Sequence, residues 1–128
     1  QYQVFYSQFQ RFNLEEMERP MTTLRISIHA RDEKRNELLS ACRLITDQTR
    51  QETGCKDCKV SQDINNENII TLDQQWEQWP SLNNYFRSDH FSALVGAMKW
   101  LGMAYEIRIN EGTPEEGMDA VKRAREIG

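Results

Sequence analysis

Residues 68–101, NIITLDQQWEQWPSLNNYFRSDHFSALVGAMKWL, hold a strand, a corner and a helix in one continuous run. Ile70, Leu72 and Trp76 share one side of the strand, because successive side chains alternate between the faces of a sheet. After the corner, Ser88 is expected to cap a helix. Its apolar residues recur at helical spacing: Phe91, Leu94, Val95, Met98 and Leu101. A strand that brings aromatic side chains to a corner, followed by a helix that packs back over the sheet, predicts a pocket wall in a small α+β domain.

A first strand and a long helix are expected before this stretch. Residues 22–30 alternate between an apolar side and a polar side that holds Arg25 and His29. The helix is expected to begin after an Asp32 cap. Its buried stripe is predicted to consist of Leu38, Ala41, Cys42, Ile45 and Thr49.

Two further strands frame a polar turn in the middle of the chain. Gly54 is expected to end the connection from the long helix in a left-handed conformation. Residues 55–62 read as the second strand, and residues 63–68 form a turn rich in Asn and Asp. The third strand covers about residues 69–76, and Pro80 opens a short helix after it.

The last part of the chain carries a fourth strand and a final helix. Tyr105, Ile107 and Ile109 alternate with polar residues, as in a half-buried strand. Thr-Pro-Glu-Glu at residues 113–116 is a capping box with proline at the first helical position, which predicts a helix to about Glu126. Residues 1–20 are expected to be an N-terminal extension, and residues 21–128 the domain itself.

The predicted order β-α-β-β-α-β is the split βαβ, or ferredoxin-like, arrangement of the α+β class, with an antiparallel sheet. Its two helices cover one face of the sheet and leave the other face free. That open face is expected to hold Arg25, His29 and Asp73, together with Val60 and Trp76. We therefore expect a homodimer in which a second copy covers this face.

Composition excludes several classes of function. The chain has 128 residues, 38% of them hydrophobic, so one domain with a real core is expected. A formal net charge of -4 with no basic stripe argues against nucleic-acid binding. No apolar run reaches membrane-spanning length. Three cysteines in a chain that can fold without disulfide bonds favour reduced thiols and a cytoplasmic setting.

Cys55 and Cys58 form a C-x-x-C motif, which in redox proteins begins a helix. Here the motif opens a strand, where residues three apart are expected to point to opposite faces. The third cysteine, Cys42, lies in the predicted helix core, so neither a redox pair nor a zinc site is favoured.

The two histidines, His29 and His90, are too few for a metal site of the usual three-ligand kind. His90 near a helix N-terminus is expected to be a neutral imidazole that could accept a proton from a phenol, or else a surface residue near the cap. For His29, a pocket role and an intersubunit hydrogen bond are both open. Arg25 could bind an oxyanion, but an ion pair with Asp73 is favoured.

Aromatic residues cluster within sixteen positions after the third strand: Trp76, Trp79, Tyr85, Phe86 and Phe91. Core packing is favoured for Phe86 and Phe91. Trp76 at the strand end is the better candidate for stacking on a flat ligand.

A recognisable order of short motifs runs through the chain. It begins with Gly-Cys-x-x-Cys-x-Val-x-x-Asp at residues 54–63, continues with the strand that ends at Trp76, and then has Arg-Ser-Asp-His-Phe at residues 87–91. Gly-Met-Asp-Ala-Val follows at residues 117–121. From about residue 21 to residue 125 this order resembles the antibiotic biosynthesis monooxygenase domain family.

The resemblance implies a dimeric α/β barrel of two ferredoxin-like subunits, with a pocket between sheet and helices in each. It also implies oxidation of quinols or polycyclic phenols by molecular oxygen, with no metal or flavin cofactor. Two residues of this chain depart from the family pattern. Tyr85 stands where family members often have a histidine, and Tyr85 is a poor base near neutral pH. Val95 stands where the haem-degrading branch has a histidine, which disfavours haem degradation.

The resemblance leads to a hypothesis for the site of a monooxygenase. His90, His29 and Tyr85 are the candidate catalytic residues, with a histidine as proton acceptor. The candidate substrate-binding residues are Trp76, Arg25 and Phe91. The expected partners are a small aromatic substrate, molecular oxygen and a second copy of the chain. The alternative is a non-catalytic dimeric ligand-binding or stress-response protein with the same fold.

Overall fold

The computed structural model describes residues 21–112 and 121–125. The chain divides into two compact units, Thr22–Asn110 and the pair of segments Gln1–Met21 and Glu111–Gly128. The first unit holds the sheet and helices described below. In the second, residues 121–125 are helical. The expected N-terminal extension and the predicted cap at residues 113–116 lie outside the described residues.

The elements confirm the predicted β-α-β-β-α-β order and the short helix expected at Pro80. They are β1 Met21–Ala30, α1 Arg35–Thr49, β2 Cys55–Gln62, β3 Ile69–Trp76, α2 Trp79–Phe86, α3 Asp89–Leu101 and β4 Gly102–Gly112. The sheet order is β2-β3-β1-β4, and β3 pairs antiparallel with both β1 and β2. β1 and β2 run parallel and are separated by β3, which is the split βαβ arrangement.

Strand register divides the sheet into a helix-facing side and an open side. Ile26 pairs with Leu72 and Ile28 with Ile70, and all four side chains are buried on the helix-facing side. Leu38 of α1 completes this part of the core. The open side holds the intervening residues of each strand, which are half-buried or exposed.

Two side chains expected on the open side lie on the helix-facing side. Val60 pairs with Leu72, and Trp76 pairs with Thr22, so both face the helices. The expectation for Trp76 was wrong because side chains an even number of residues apart in a strand share one face. Trp76 is four residues after Leu72 and therefore lies on the same side. The open side is therefore more polar than the sequence analysis predicted.

The first helix begins later than predicted. α1 starts at Arg35, and its N-cap is Lys34, which makes no side-chain capping hydrogen bond. The Asp32 cap is wrong because a turn intervenes: the Lys34 amide donates to the Arg31 carbonyl at 2.9 Å, and Glu33 has a φ of 69°. The predicted buried stripe of this helix is present. Ala41 is half-buried, and its other members are buried: Leu38, Cys42, Ile45 and Thr49.

Gly54 adopts the left-handed conformation that the sequence predicted, with a φ of 87°. Its carbonyl accepts a hydrogen bond from the Glu77 amide at 2.8 Å, which ties the start of β2 to the end of β3. A Cβ at this position would overlap the side chain of Ser81 in α2. Gly54 therefore allows α2 to pack directly against this turn.

None of the helices in the described part of the chain is long and apolar enough to cross a membrane.

Candidate functional site

The candidate site is the corner where β3 ends and α2 and α3 meet. Trp76, the last residue of β3, is 0% exposed, and Tyr85 in the last turn of α2 is 1% exposed. Their ring centroids are 4.8 Å apart with a 31° angle between the planes. Short helix α2 begins with Pro80 in its first turn, directly after the strand. This sharp change of direction places Tyr85 over Trp76.

A buried hydrogen-bond chain joins these two rings to α1. The Trp76 indole Nε1 donates to Gln74 Oε1 at 3.0 Å, and Gln74 Nε2 donates to the Tyr85 hydroxyl at 3.3 Å. The Tyr85 hydroxyl also lies 3.1 Å from Thr49 Oγ1. Because indole can only donate, the orientation of the Gln74 amide is fixed. Tyr85 therefore accepts from Gln74, and either hydroxyl can be the donor in its contact with Thr49.

Burial raises the pKa of Tyr85, and the hydrogen bonds from Thr49 and Gln74 oppose this only in part. The neutral phenol is therefore favoured inside the protein, because burial disfavours the phenolate. Its hydroxyl is buried and already hydrogen-bonded to both Gln74 and Thr49. In this arrangement Tyr85 fixes the position of Trp76 and is not free to act on another molecule.

Three further aromatic rings lie around this pair: Phe86 and Phe91 are half-buried, and Trp79 is 42% exposed. Phe91 meets Tyr85 edge to face at 5.4 Å and Phe86 at 4.9 Å, and Trp79 packs on Phe86 at 6.3 Å. Ser88 sets their relative position, since its hydroxyl donates to the Tyr85 carbonyl at 2.7 Å and accepts from the Phe91 amide at 3.2 Å. The predicted Ser88 cap is thus confirmed, and it joins the two helices.

His90 contacts a carboxylate at the edge of this cluster. Its Nδ1 lies 2.7 Å from Oε1 of Glu52, in the turn between α1 and β2. The His90 side chain is 38% exposed and that of Glu52 25%. The imidazole is therefore partly shielded from water and held by an acceptor 38 positions away in sequence.

The two thiols of the C-x-x-C motif share one side of the sheet. A β-bulge between Cys55 and Asp57 shifts the register, so Cys55 pairs with Trp76 and Cys58 with Gln74. The expectation of opposite faces was wrong because the bulge inserts one extra residue into the strand. Burial raises the pKa of Cys55 to about 11 and that of Cys42 to about 12. The thiols are therefore held in the neutral form.

Cys58 is fully buried, and burial raises its pKa as well. The Thr46 hydroxyl lies beside this thiol and opposes the shift in part. Thr46 Oγ1 nevertheless makes no hydrogen bond of ordinary geometry within the described residues. All three cysteines are free thiols. Within the described ranges no group of three or more His, Cys, Asp or Glu side chains could hold a metal ion.

The open side of the sheet carries a separate, polar cleft of about 470 Å³. Arg25 binds Asp73 through two contacts, Nε to Oδ1 at 2.6 Å and Nη2 to Oδ2 at 3.3 Å. The predicted ion pair is thus confirmed. Lys59 and Arg108 also line the cleft, beside Asp57. Its charges are of both signs, so it offers no strongly basic surface to an anion.

The structure brings four of the six predicted site residues together and separates the other two. Trp76, Tyr85 and Phe91 pack against one another, and His90 precedes Phe91 in α3. The other two, Arg25 and His29, lie on the open side of the sheet. His29 pairs with Ile69, seven residues along β3 from Trp76, which corresponds to about 23 Å of strand.

Three polar residues of the corner were not predicted as site residues, although Thr49 was expected in the buried stripe of α1. Gln74 and Thr49 complete the chain of hydrogen bonds to Trp76, and Glu52 holds His90. Strand alternation could have identified Gln74, because it lies between Leu72 and Trp76 on the buried side. Glu52 offered no such signal, since it lies in a turn.

The antibiotic biosynthesis monooxygenase family matches the chain over residues 21–97. This segment includes the whole corner, from Glu52 to Phe91. No curated protein matches the chain.

Solved structures share the fold. A conserved protein from Methanosarcina mazei Go1 is 26% identical, with a TM-score of 0.69 over 76% of this chain and 97% of that one. A proposed antibiotic biosynthesis monooxygenase from Deinococcus radiodurans is 21% identical, with a TM-score of 0.67 over 71% of this chain and 91% of that one. A conserved protein from Bacteroides thetaiotaomicron, described as a possible oxidoreductase, is 17% identical, with a TM-score of 0.64 over 74% and 98%. The last two show the fold alone.

Proposed function

This chain belongs to the antibiotic biosynthesis monooxygenase family, and we propose that it is a monooxygenase that oxidises a quinol or polycyclic phenol with molecular oxygen and without a cofactor. The observation that carries the proposal is the aromatic corner. Trp76 and Tyr85 form a rigid floor, and the half-buried rings of Phe86 and Phe91 surround it. A flat aromatic substrate packs on such rings through its faces and edges.

The substrate itself supplies the electrons in the proposed reaction. An anthrone-like phenol loses its hydroxyl proton, and the phenolate passes one electron to O₂. Recombination of the two radicals forms a carbon–oxygen bond, and the resulting hydroperoxide loses water to give a carbonyl. One oxygen atom enters the product, the other leaves as water, and four electrons move from substrate to oxygen. The protein has to bind the phenol, accept its proton and exclude water.

His90 is the proton acceptor in this proposal. It is the histidine of the aromatic corner, whereas His29 lies on the open side of the sheet. The Tyr85 hydroxyl is neutral, buried and hydrogen-bonded to Gln74 and Thr49, so we assign Tyr85 a supporting part beside Trp76. Arg25 is paired with Asp73 and takes no part in the reaction.

Oxygen uptake with a panel of quinols and anthrone-like phenols tests the proposal. The protein should be free of metal, and rates are corrected for autoxidation. His90→Ala should lower kcat by about a hundredfold or more, because a positioned base contributes at least that factor. His29→Ala is the matched control and should leave the rate unchanged. Equal rates in both variants would remove His90 from the reaction, and no uptake by any form would refute the oxygenase.

We also propose a homodimer with the open sides of two sheets in contact. Support comes from the polar cleft on this side, which bears charges of both signs. Arg25 and Lys59 of one copy could meet Asp57 and Asp73 of the other. Light scattering at micromolar concentration should give the mass of two chains. The mass of one chain would contradict this assembly.

A specific observation favours a second candidate, a non-catalytic ligand-binding protein. Trp76 and Tyr85 have almost no exposed surface, so the interior between sheet and helices is filled by its own side chains. Such a protein would bind the same aromatic molecules on Phe86 and Phe91 without consuming oxygen. Quenching of tryptophan fluorescence by the panel, in the absence of any oxygen uptake, would favour this candidate.

A reducing, cytoplasmic setting fits either candidate. All three cysteines are unpaired, and their burial keeps the thiols neutral and slow to oxidise. Disulfides persist mainly in oxidising compartments. Mass spectrometry of protein prepared from cells under non-reducing, thiol-blocking conditions should find all three thiols reduced.

A further inference from the structure

We propose that Glu52 is a positioning residue: its carboxylate keeps the ring proton of His90 on Nδ1 and thereby makes Nε2 the atom that receives the substrate proton. The catalytic part of this inference rests on the function proposed above. The part that concerns the tautomer of His90 stands on the geometry alone.

The backbone of Glu52 is fixed on both sides. Its amide donates to the Thr49 carbonyl at 3.0 Å, and its carbonyl accepts from the Cys55 amide at 3.1 Å. The turn that follows α1 is therefore closed onto the start of β2. A carboxylate on such a turn loses less conformational freedom when it binds a partner than one on a free loop.

The imidazole is fixed from the other side. His90 is the second residue of α3, and the Ser88 cap holds the first turn of that helix. The Nδ1–Oε1 distance of 2.7 Å is that of a strong, charge-assisted hydrogen bond. Both side chains are less exposed than those of the surface pair Arg25–Asp73, so solvent screens this contact less.

The protonation pattern follows from the chemistry of the two groups. An ionised carboxylate can only accept hydrogen bonds, so Nδ1 must carry the proton in this contact. In neutral imidazole the other nitrogen then holds a free lone pair. Among residues 21–112 and 121–125, Nε2 of His90 has no hydrogen-bond partner. The free lone pair is thus available to a bound molecule.

The pair lies beside the aromatic corner. The Glu52 carbonyl accepts a hydrogen bond from the Cys55 amide at 3.1 Å, and Cys55 is directly opposite Trp76 in the sheet. On the other side, Phe91 follows His90 and packs on Tyr85. The His90–Glu52 contact therefore connects two segments that both contact the floor of the corner.

Nitrogen-15 NMR of the imidazole rings tests the tautomer directly, on the full chain with no ligand. His90→Ala assigns the signals, and His29 is an internal reference. Wild-type His90 should show a proton-bearing Nδ1 and a bare Nε2. Glu52→Gln should keep this pattern, because the amide oxygen still accepts the bond. Glu52→Ala should shift the proton towards Nε2, whereas Glu37→Ala, which removes an exposed acid of α1, should change nothing.

Steady-state oxygen uptake tests the catalytic part. Glu52→Ala should lower kcat by about tenfold or more with little change in KM, and Glu52→Gln should recover part of the loss. A bare Nδ1 in the wild type, or an unchanged pattern in Glu52→Ala, would overturn the proposal. A shifted proton with unchanged kcat would overturn the catalytic role alone. If no form consumes oxygen, the proposed function fails, and the NMR result still decides whether Glu52 sets the tautomer.

Discussion

Asp73 and Gln74 are consecutive residues of β3 that experience opposite environments. Asp73 faces the open side, with 40% of its side chain exposed, and binds Arg25 in water. Gln74 faces the helices at 1% exposure and hydrogen-bonds both Trp76 and Tyr85. The strand period of two places one polar group in solvent and the next in the core. Polar contacts of similar length therefore contribute differently to stability on the two faces of one sheet.

The consequence concerns stability as well as function. Leaving a buried polar group without a partner costs more than breaking an exposed ion pair, because the exposed groups can bind water instead. The helix-facing corner should thus be intolerant of substitution, and the open side tolerant. Four measurements test this contrast.

Trp76→Ala should have the largest effect. The ring is fully buried against Tyr85, and its loss opens a cavity and leaves Gln74 Oε1 unpaired. We expect the free energy of unfolding to fall by about 3–5 kcal/mol, measured by urea denaturation. Trp100→Ala, at an 80% exposed tryptophan, is the matched control and should cost far less. Equal losses in the two variants would contradict the assignment of Trp76 to the core.

Tyr85→Phe should have the next largest effect. It keeps the ring but removes the oxygen that joins Gln74 to Thr49. Two buried polar groups then lack a partner, so the free energy of unfolding should fall by about 1–3 kcal/mol. Tyr105→Phe, at a 54% exposed tyrosine, is the control. A stability equal to wild type would show that the hydrogen-bond chain contributes little.

Alkaline pH should destabilise the folded chain. Folding raises the pKa of Cys42 to about 12 and that of Cys55 to about 11, from an ordinary value of 9.0. The unfolded chain therefore releases these protons first as pH rises. Stability should be constant below about pH 8 and fall from about pH 9 to about pH 12, where the folded-state thiols also ionise.

The control for this pH dependence is Cys42→Ala. This variant should be less stable at neutral pH but should lose less stability on the alkaline side. A wild-type stability that stays constant up to about pH 11 would contradict the burial of the thiols.

Arg25→Ala should have the smallest effect. Its side chain is 62% exposed, so the pair with Asp73 should contribute less than about 1 kcal/mol to the stability of one chain. High salt should remove most of that difference. If the proposed dimer forms across this side, the variant should instead weaken the dimer, which dilution series by light scattering would detect. A large loss of stability in the monomer would contradict the expectation that the open side tolerates substitution.

Local pattern alone predicted much of the fold. The bounds of β2 and β3, the Ser88 cap and the left-handed Gly54 all follow from signals within a few residues. Hydrophobic periods of 2 and 3.6, caps and turn residues act over such short distances. Two local expectations failed: a turn with Glu33 at positive φ displaced the predicted cap of α1, and the open-side placement of Trp76 disagreed with the strand period.

The site depended on contacts between distant segments. A bulge decided that Cys55 and Cys58 share one side, and the packing of α2 placed Tyr85 on Trp76. Only the close approach of the α1–β2 turn to α3 brought Glu52 to His90. The sequence by itself determined the order and periodicity of the elements, because these depend on neighbouring residues. The tertiary structure decided which polar groups meet, because pairing across 38 positions depends on how whole elements pack.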